Sequence, residues 1–275
     1  MLLYKYRTCE QRTWEIFLNK KLYLSTPEGM NDPLDSSIDI EKEYDRAKNY
    51  INSIDDHPEK RKSFLIFLLN SSHKFQDPIT KSKISLNQAV QRFVQQLGIL
   101  SLSKTARDPL LWSHYANGHR GVCLAFDSEE MELENIFINS DVTYLEKPPY
   151  QDIFMRLTEQ LGEFVRPWDK HHHSDEEGDA FYTKQLGELM RGNLLVKSQK
   201  WHYEEEYRLV SSKPGLHKFN PTALKQVIFG TKTSDSDIET ILNMINHPDY
   251  RHVETYRVEH VQGTFEFDLK KLGDR

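Results

Sequence analysis

The residues between Lys197 and Arg208 are the strongest candidates for chemistry in this chain of 275 residues. The spacing of Glu204, Glu206 and Arg208 predicts that the three side chains share one face of a strand over residues 203–210. Carboxylates placed close together raise one another's pKa, whereas a neighbouring guanidinium lowers it. Such a row can form a reactive site, and a solvated edge strand protected by charge has the same pattern.

A second candidate group lies on the strand that is expected over residues 99–103. Because neighbouring side chains of a strand point to opposite faces, Ser101 and Ser103 are predicted to share a polar face, while Leu102 points to the core. Two hydroxyl groups on one face can line a polar cleft. A half-exposed strand without any function shows the same alternation.

The helix that follows is predicted to begin at Asp108, a good capping residue that is followed by proline. Its residues Trp112 and Tyr115 have the spacing of core side chains. His114 is a candidate for substrate binding, although a histidine in a helix is more often buried and hydrogen-bonded. His119 follows five residues later, a spacing that does not suit a pair of metal ligands on one helix face.

The N-terminal strand, in which Leu2, Tyr4 and Tyr6 alternate with more polar residues, contributes a third group. Its last residue, Arg7, is a candidate donor to a phosphate or to a ribose edge, because the planar guanidinium can donate two parallel hydrogen bonds. An arginine at a strand end is also commonly just solvated.

The densest histidine cluster, His171–His173, is followed by the acidic residues Asp175, Glu176 and Glu177. The ligands of structural metal sites are usually spaced along the chain and supported by further side chains, and these residues are consecutive. We therefore predict a surface loop here and expect no metal.

Composition places the chain among globular proteins, with 37% hydrophobic and 28% charged residues. The longest apolar run, Phe64–Leu69, is far shorter than the roughly 20 residues that span a bilayer. With two cysteines and no secretory signal at the N-terminus, we expect a cytoplasmic protein without membrane contact. The net charge of −6 argues against an electrostatic grip on nucleic acid as the main activity, but permits a nucleic-acid substrate held by few contacts.

The predicted elements describe an α+β fold in a single domain over residues 1–275. Strands are predicted at residues 2–7, 22–24, 99–103, 122–126, 203–210, 227–229 and 255–258. Helices are predicted at residues 10–19, 108–118, 181–195 and 235–245. A helical insertion at about residues 40–97 and a surface excursion at about residues 146–180 interrupt this pattern.

Four ordered motifs resemble those of an uncharacterised bacterial family, domain-of-unknown-function family 2971. They lie at Leu3–Arg7, Asn31–Asp35, Trp112–Phe126 and Lys197–Arg208. The resemblance covers most of the chain up to about residue 210. The family has no assigned activity, so this resemblance implies none.

The order of three of these groups is similar to that of the Arg-Ser-Glu class of ADP-ribosyltransferases. The similarity implies a mixed, mostly antiparallel split sheet with a helical insertion, and NAD as a co-substrate. Arg7 would then hold the phosphate or ribose of NAD, and Ser101, with Ser103 nearby, would support the pocket. Glu206 would bond the hydroxyl of the nicotinamide ribose, and Glu204 would orient the acceptor.

This similarity implies an NAD-consuming transferase or NAD glycohydrolase, such as a toxin or a phage-defence effector. Aromatic side chains near the carboxylates could stack on nicotinamide and shield the reacting ribose from water. The residues expected to bind substrate are Tyr4, Tyr6, Ser103, Trp112, His114, Tyr115 and Arg208. The acceptor is open between protein, nucleic acid, a small molecule and water.

Two other functions fit the same residues. A metal-independent nuclease or phosphodiesterase could use His114 or His119 as acid or base, with Glu204 and Arg208. A module that binds a nucleotide or a protein and turns nothing over is the second alternative.

Overall fold

The computed structural model describes residues 1–32, 34–35, 39–53, 75–76, 83–84, 86–147, 154, 156 and 191–273. The chain divides into two compact units. The first comprises Met1–Ser25, Ile99–Tyr144 and Gln199–Arg275, and the second comprises Thr26–Gly98 and Leu145–Ser198. The predicted helical insertion and surface excursion both fall in the sequence ranges of the second unit. The single domain over residues 1–275 stays a prediction.

The described strands and helices are numbered in chain order. The strands are β1 (Leu2–Arg7), β2 (Lys21–Leu24), β3 (Phe75–Gln76), β4 (Lys83–Ile84), β5 (Gly98–Ser103), β6 (Val122–Asp127), β7 (Ile136–Asp141), β8 (Thr143–Leu145), β9 (Val196–Ser198), β10 (Glu206–Ser211), β11 (Gly215–Lys218), β12 (Leu224–Phe229), β13 (Glu254–His260) and β14 (Phe267–Lys271). The α-helices are α1 (Gln11–Asn19), α2 (Ile40–Ser53), α3 (Leu86–Gln95), α4 (Pro109–Tyr115) and α5 (Asp235–Ile245). Short 3-10 helices lie at Pro27–Gly29, Gln199–Glu204, Pro221–Ala223 and Pro248–Tyr250.

An eight-stranded sheet, with the order β14-β13-β12-β6-β1-β5-β10-β7, is the framework of the first unit. Strand β1 pairs antiparallel with β6 along its whole length, and Tyr4 lies opposite both Ala125 of β6 and Ser103 of β5. Strands β12 and β13 are parallel, whereas β6–β12, β7–β10 and β13–β14 are antiparallel. The predicted α+β class with a mostly antiparallel sheet is therefore confirmed.

The two faces of this sheet pack against different helices. On the first face, apolar strand residues such as Leu3, Leu102 and Leu124 pack with Phe17 of α1 and Ile241 of α5. The second face, which we call the α4 face, is covered by α4. Its core comprises Tyr6, Leu111, Trp112, Cys123, Ile228 and Val258, together with Ala106 and Ala116. Because both faces are covered, the inner strand β6 is apolar at nearly every position, as VCLAF predicts.

The second unit contains a buried ion pair that joins two of the sequence motifs. The ammonium of Lys197 lies 3.4 Å from the carboxylate of Asp35, with side-chain exposures of 2% and 0%. Near it in sequence, Tyr44 of α2 makes an edge-to-face ring contact with Phe154 at 5.4 Å. The second and fourth sequence motifs are thus joined by one ion pair inside this unit.

Within the range of the predicted helical insertion, α2 and α3 are helical, whereas two short segments are extended. Residues 75–76 and 83–84 pair as an antiparallel ribbon, with Phe75 opposite Ile84 and Gln76 opposite Lys83. Backbone pairing outweighs helical propensity at these segments. Most of the predicted helix at 181–195, most of the excursion at 146–180 and the cluster His171–His173 lie outside the described residues. Within the described part of the chain, no helix is both long and apolar enough to cross a bilayer.

The start of α4 gives a first prediction, on stability. The Asp108 carboxylate accepts hydrogen bonds from the backbone N–H groups of Leu110 at 2.7 Å and Leu111 at 3.1 Å. Asp108→Ala removes this cap, and we expect it to lower the free energy of unfolding by about 0.5–2 kcal/mol. Asp108→Asn keeps an acceptor and is the control. Equal denaturation midpoints for the two variants would contradict a capping role.

Candidate active site

The α4 face of the sheet gathers most of the predicted site residues. Strand neighbours Leu3, Leu102 and Leu209 all belong to the core on the opposite face, so the residues that alternate with them point toward α4. The residues placed on the α4 face in this way are Tyr4 and Tyr6 of β1, Ser101 and Ser103 of β5, and Glu206 and Arg208 of β10. Strands β1, β5 and β10 are direct neighbours in the sheet, so these side chains lie side by side.

Glu206 and Arg208, the members of this group on β10, form a buried ion pair. The Arg208 Nε donates to Glu206 Oε1 at 2.6 Å, and Arg208 Nη2 donates to Oε2 at 3.0 Å. Their side chains are 3% and 0% exposed. Since β10 lies between β5 and β7, the alternative of a solvated edge strand is wrong for this motif.

Glu204 reaches the same region by a different route from the one predicted. The strand begins at Glu206 rather than at residue 203, and Gln199–Glu204 forms a 3-10 helix. Glu205 between them has a left-handed backbone, with φ of 43°, which breaks the expected alternation. The buried carboxylate of Glu204 instead accepts a hydrogen bond of 2.5 Å from the hydroxyl of Tyr115 on α4.

Aromatic residues lie next to Glu204: Tyr115 donates a hydrogen bond to it, and Tyr203 precedes it in the 3-10 helix. The rings of His114 and Tyr203 lie 6.2 Å apart, and those of Tyr203 and Trp201 lie 6.0 Å apart. Sequence reasoning did not select Trp201 and Tyr203, because an uninterrupted strand would place Tyr203 on the face opposite Glu204. The one indication of these two residues in the sequence was that both lie within the fourth motif, Lys197–Arg208.

Tyr144, a residue that no sequence pattern pointed to, supports the start of β10. Its hydroxyl accepts a hydrogen bond of 2.7 Å from the backbone N–H of Glu206. Its ring also contacts that of His202 at 5.2 Å. This contact fixes the backbone at the residue that carries the buried carboxylate.

Two of the predicted binding residues are core residues. The Trp112 indole is fully buried and donates to the carbonyl of Ala106 at 2.8 Å. Tyr6 packs edge-to-face on Trp112 at 5.1 Å and donates to the carbonyl of Thr105 at 2.9 Å. Burial raises the pKa of Tyr6 far above its usual value. These two rings belong to the core of the α4 face and do not line the site.

Tyr4 and Ser101 are the more accessible members of the strand group. Tyr4 is half-buried, and burial raises the pKa of its hydroxyl, with Arg107 opposing that change. Among the described residues, the buried Oγ of Ser101 has no hydrogen-bond partner. The Oγ of Ser103, by contrast, accepts from the N–H of Thr105 at 3.1 Å.

Arg7 is not brought to the α4 face. It shares with Leu3 and Lys5 the other face of β1, and its Nε lies 3.4 Å from the Oγ1 of Thr13 on α1. Burial lowers the pKa of the Arg7 guanidinium. The alternation of the strand, which points Tyr4 one way and Arg7 the other, separates this arginine from Glu206.

His119 also lies apart from the glutamates. It follows α4 in a turn where Asn117, Gly118 and His119 all have positive φ, of 49°, 59° and 69°. Its ring contacts Phe267 of β14 at 5.5 Å, and burial lowers its pKa. Strands β13, β12, β6, β1 and β5 lie between β14 and β10, so His119 is far along the sheet from Glu206.

The raised pKa values of the two cysteine thiols give a second prediction. Burial raises the pKa of Cys9 to about 12 and that of Cys123 well above its usual value. Because the thiolate is the reactive form, we expect iodoacetamide at about pH 8 to leave both residues unmodified in the native protein. Mass spectrometry measures the modification, and the unfolded protein, labelled at both, is the control. Rapid labelling of native Cys9 would contradict this prediction.

The described residues contain no group of three or more histidine, cysteine or acidic side chains placed to hold a metal ion. The described site residues supply two carboxylates, one guanidinium, hydroxyl groups and aromatic rings. Such a set can stabilise a positive charge, orient a nucleophile and stack on a planar ring.

Comparison with known proteins shows similarity to one family over part of the chain and indicates no activity. No curated protein matches the chain, and no solved structure matches it. Residues 111–209 match the model of a family described as a protein of unknown function, DUF2971. The matched range extends from α4 to β10 and includes Tyr115, Glu204, Glu206 and Arg208. The resemblance to domain-of-unknown-function family 2971 is thus confirmed over residues 111–209.

Proposed function

We propose that this protein is an NAD-consuming enzyme, either an ADP-ribosyltransferase or an NAD glycohydrolase. The observation that carries the proposal is the buried pair of Glu206 and Arg208, which shares the α4 face with Tyr4 and Ser101 and adjoins Glu204. An ADP-ribosyltransferase type of split sheet and a role as a toxin or phage-defence effector are parts of the same proposal.

Glu206 is suited to the reacting ribose. Breaking the bond between nicotinamide and ribose builds positive charge on the ribose ring, and a fixed carboxylate beside the 2′-hydroxyl stabilises that charge. The two hydrogen bonds from Arg208 hold the Glu206 carboxylate in one orientation. A carboxylate that is already oriented needs little rearrangement as the charge develops.

Glu204 and the neighbouring rings complete the chemistry. Glu204, held by the Tyr115 hydroxyl, would orient the acceptor group or a water molecule toward the ribose. The half-buried rings of Tyr4 and Tyr203 offer apolar surface for nicotinamide and exclude water. The buried hydroxyl of Ser101 has no partner among the described residues and would donate to the substrate.

The nuclease alternative draws less support from the arrangement of its residues. His119 contacts Phe267 at the β14 end of the sheet, at a distance of several strands from Arg208. His114 is exposed and contacts Tyr115 and Tyr203 through its ring. A histidine acid or base paired with Arg208 would therefore have to be His114.

The proposal is tested by incubating the purified protein with NAD, alone and with a cell extract, and by measuring nicotinamide by chromatography. Release without extract is expected of a glycohydrolase, and release that requires extract is expected of a transferase. If neither incubation releases nicotinamide, the proposal is wrong. Cleavage of RNA without NAD would then favour the nuclease, and a ligand-induced thermal shift without product would favour a binding module.

A further inference from the structure

We infer that Gln226 on β12 is a specificity-determining residue that binds the exocyclic amine of adenine through its side-chain amide. The adenine is that of NAD, and this part of the inference rests on the proposed function, because Gln226 shares the α4 face with Glu206. Recognition of an aminated purine by Gln226 can be tested with AMP, without any reaction of NAD.

The Gln226 side chain carries a polar atom that the fold leaves unsatisfied. Its Oε1 is buried and has no hydrogen-bond partner among the described residues, although the residue as a whole is partly exposed. Nearly all buried acceptors in native proteins have a donor, so this atom calls for one from outside the chain. Because the last torsion of glutamine is broad, the amide can turn toward a ligand without any movement of the backbone.

A β-bulge aims Gln226 at the α4 face. Leu224 of β12 lies opposite Phe126 of β6, and the next printed pair joins Gln226 to Ala125. Strand β12 therefore has one residue more than β6 between these pairs. Without the extra residue, Lys225 would lie opposite Ala125 in place of Gln226. Bulges re-aim side chains in this way and are frequent beside active sites.

The cross-strand neighbour of Gln226 explains why the ligand group is a donor. Gln226 lies opposite Glu254 of β13, whose side chain is 45% exposed. Glu254 accepts hydrogen bonds from Lys271 at 2.6 Å and from Tyr256 at 2.7 Å, and these bonds lower its pKa. At neutral pH, its carboxylate therefore only accepts, as does the Oε1 of Gln226. Two neighbouring acceptors favour an amine and disfavour a carbonyl at the same place.

The same contacts favour a neutral amine over a cation. The charge of Glu254 is already balanced by the ammonium of Lys271 at 2.6 Å, so the pair presents little net charge to a ligand. The exocyclic amine of adenine is neutral and has two N–H groups, one for each acceptor. Glutamine commonly pairs with this edge of adenine, because its amide offers an acceptor and a donor side by side.

The position of Gln226 across the sheet suits a dinucleotide. Tyr4 lies opposite both Ser103 and Ala125, and Ala125 lies opposite Gln226, so these residues form one row on the α4 face. Strands β6, β1 and β5 separate β12 from β10, which carries Glu206. Four strand spacings of about 4.8 Å amount to ~19 Å. An extended dinucleotide has a length of this order, so a nicotinamide ribose at Glu206 leaves the adenine near Gln226.

Binding is measured by isothermal titration calorimetry with AMP and with IMP, in which a carbonyl replaces the exocyclic amine. We expect AMP to bind at least about ten-fold more tightly than IMP. Gln226→Met keeps the length of the side chain but removes the amide, and it should abolish this preference. Gln262→Met, at an exposed glutamine between β13 and β14, is the matched control and should keep the preference.

Chemical denaturation separates a binding role from a structural one. Because Oε1 of Gln226 has no partner, we expect Gln226→Met to be at least as stable as the wild type without ligand. A lower free energy of unfolding would show that the amide supports the fold, and it would overturn this inference. An equal loss of affinity for nicotinamide mononucleotide in Gln226→Met would also overturn it, since that half of NAD carries no purine.

The remaining outcomes distinguish this inference from the proposed function. Equal affinities for AMP and IMP, or no binding of AMP, overturn the role of Gln226. If NAD and its hypoxanthine analogue release nicotinamide with the same KM, the role of Gln226 is wrong and the proposed function stands. If AMP is preferred through Gln226 but no nicotinamide is released, the proposed function alone is wrong.

Discussion

Arg208→Met is expected to lower the free energy of unfolding by about 3–5 kcal/mol, the loss typical of breaking a buried ion pair. Arg208 is fully buried, and it donates two hydrogen bonds to Glu206, which is itself 3% exposed. Without the guanidinium, the Glu206 carboxylate would lie in a low-dielectric interior without its charged partner. Chemical denaturation of the purified variant measures the change.

Two controls separate the ion pair from simple loss of packing. The double variant Glu206→Leu with Arg208→Met removes both charges, and we expect it to be more stable than Arg208→Met alone. Lys270→Met breaks the surface ion pair between Lys270 and Glu259, whose side chains are 66% and 51% exposed. We expect it to change the free energy of unfolding little. If Arg208→Met has the same free energy of unfolding as the wild type, the ion pair does not stabilise β10.

Glu206→Gln is expected to reduce nicotinamide release about 10²–10³-fold, the size of effect seen when one preorganised electrostatic group is removed. The amide cannot stabilise the developing positive charge of the ribose as a carboxylate does. It can still accept a hydrogen bond from Arg208, so we expect a much smaller loss of stability than Arg208→Met causes. Nicotinamide is measured by chromatography at saturating NAD.

Glu205→Gln is the matched control, because it removes a neighbouring carboxylate that is exposed to solvent. It should release nicotinamide at the wild-type rate. Glu204→Gln should mainly reduce transfer to an acceptor, since Glu204 is proposed to orient that group. Full activity of Glu206→Gln would remove Glu206 from the reaction, and full activity of all three variants would place the chemistry elsewhere.

Strand alternation carried much of the prediction of the site. The pattern of β5 predicted that Leu102 points to the core and that Ser101 and Ser103 point away from it, and Leu102 does lie in the core cluster. The same rule already separated Arg7 from Tyr4 and Tyr6 on β1. Grouping Arg7 with them because they are close in sequence overlooked the opposite directions of neighbouring side chains.

The position of Glu204 could not be predicted in the same way. Three consecutive glutamates followed by Tyr207 fit an uninterrupted strand, and left-handed backbone at a glutamate such as Glu205 is uncommon. The sequence of a strand also does not show which other strands will pair with it in the sheet. The contact of Tyr115 with Glu204 requires β10 to lie next to β5. That strand order is set by pairing between segments that are far apart in the sequence.

The central place of β1 in the sheet has a consequence for synthesis of the chain. The strand is made before its partners β5 and β6, which end at Ser103 and Asp127, and before β10, which ends at Ser211. At typical translation speeds, roughly 10–40 s separate the synthesis of Arg7 from that of Ser211. Until β5 and β6 have been made, the nascent chain carries β1 as an unpaired strand, which contacts of high sequence separation must later complete. The nascent chain is therefore expected to depend on chaperone protection until β10, the strand that carries Glu206, has emerged from the ribosome.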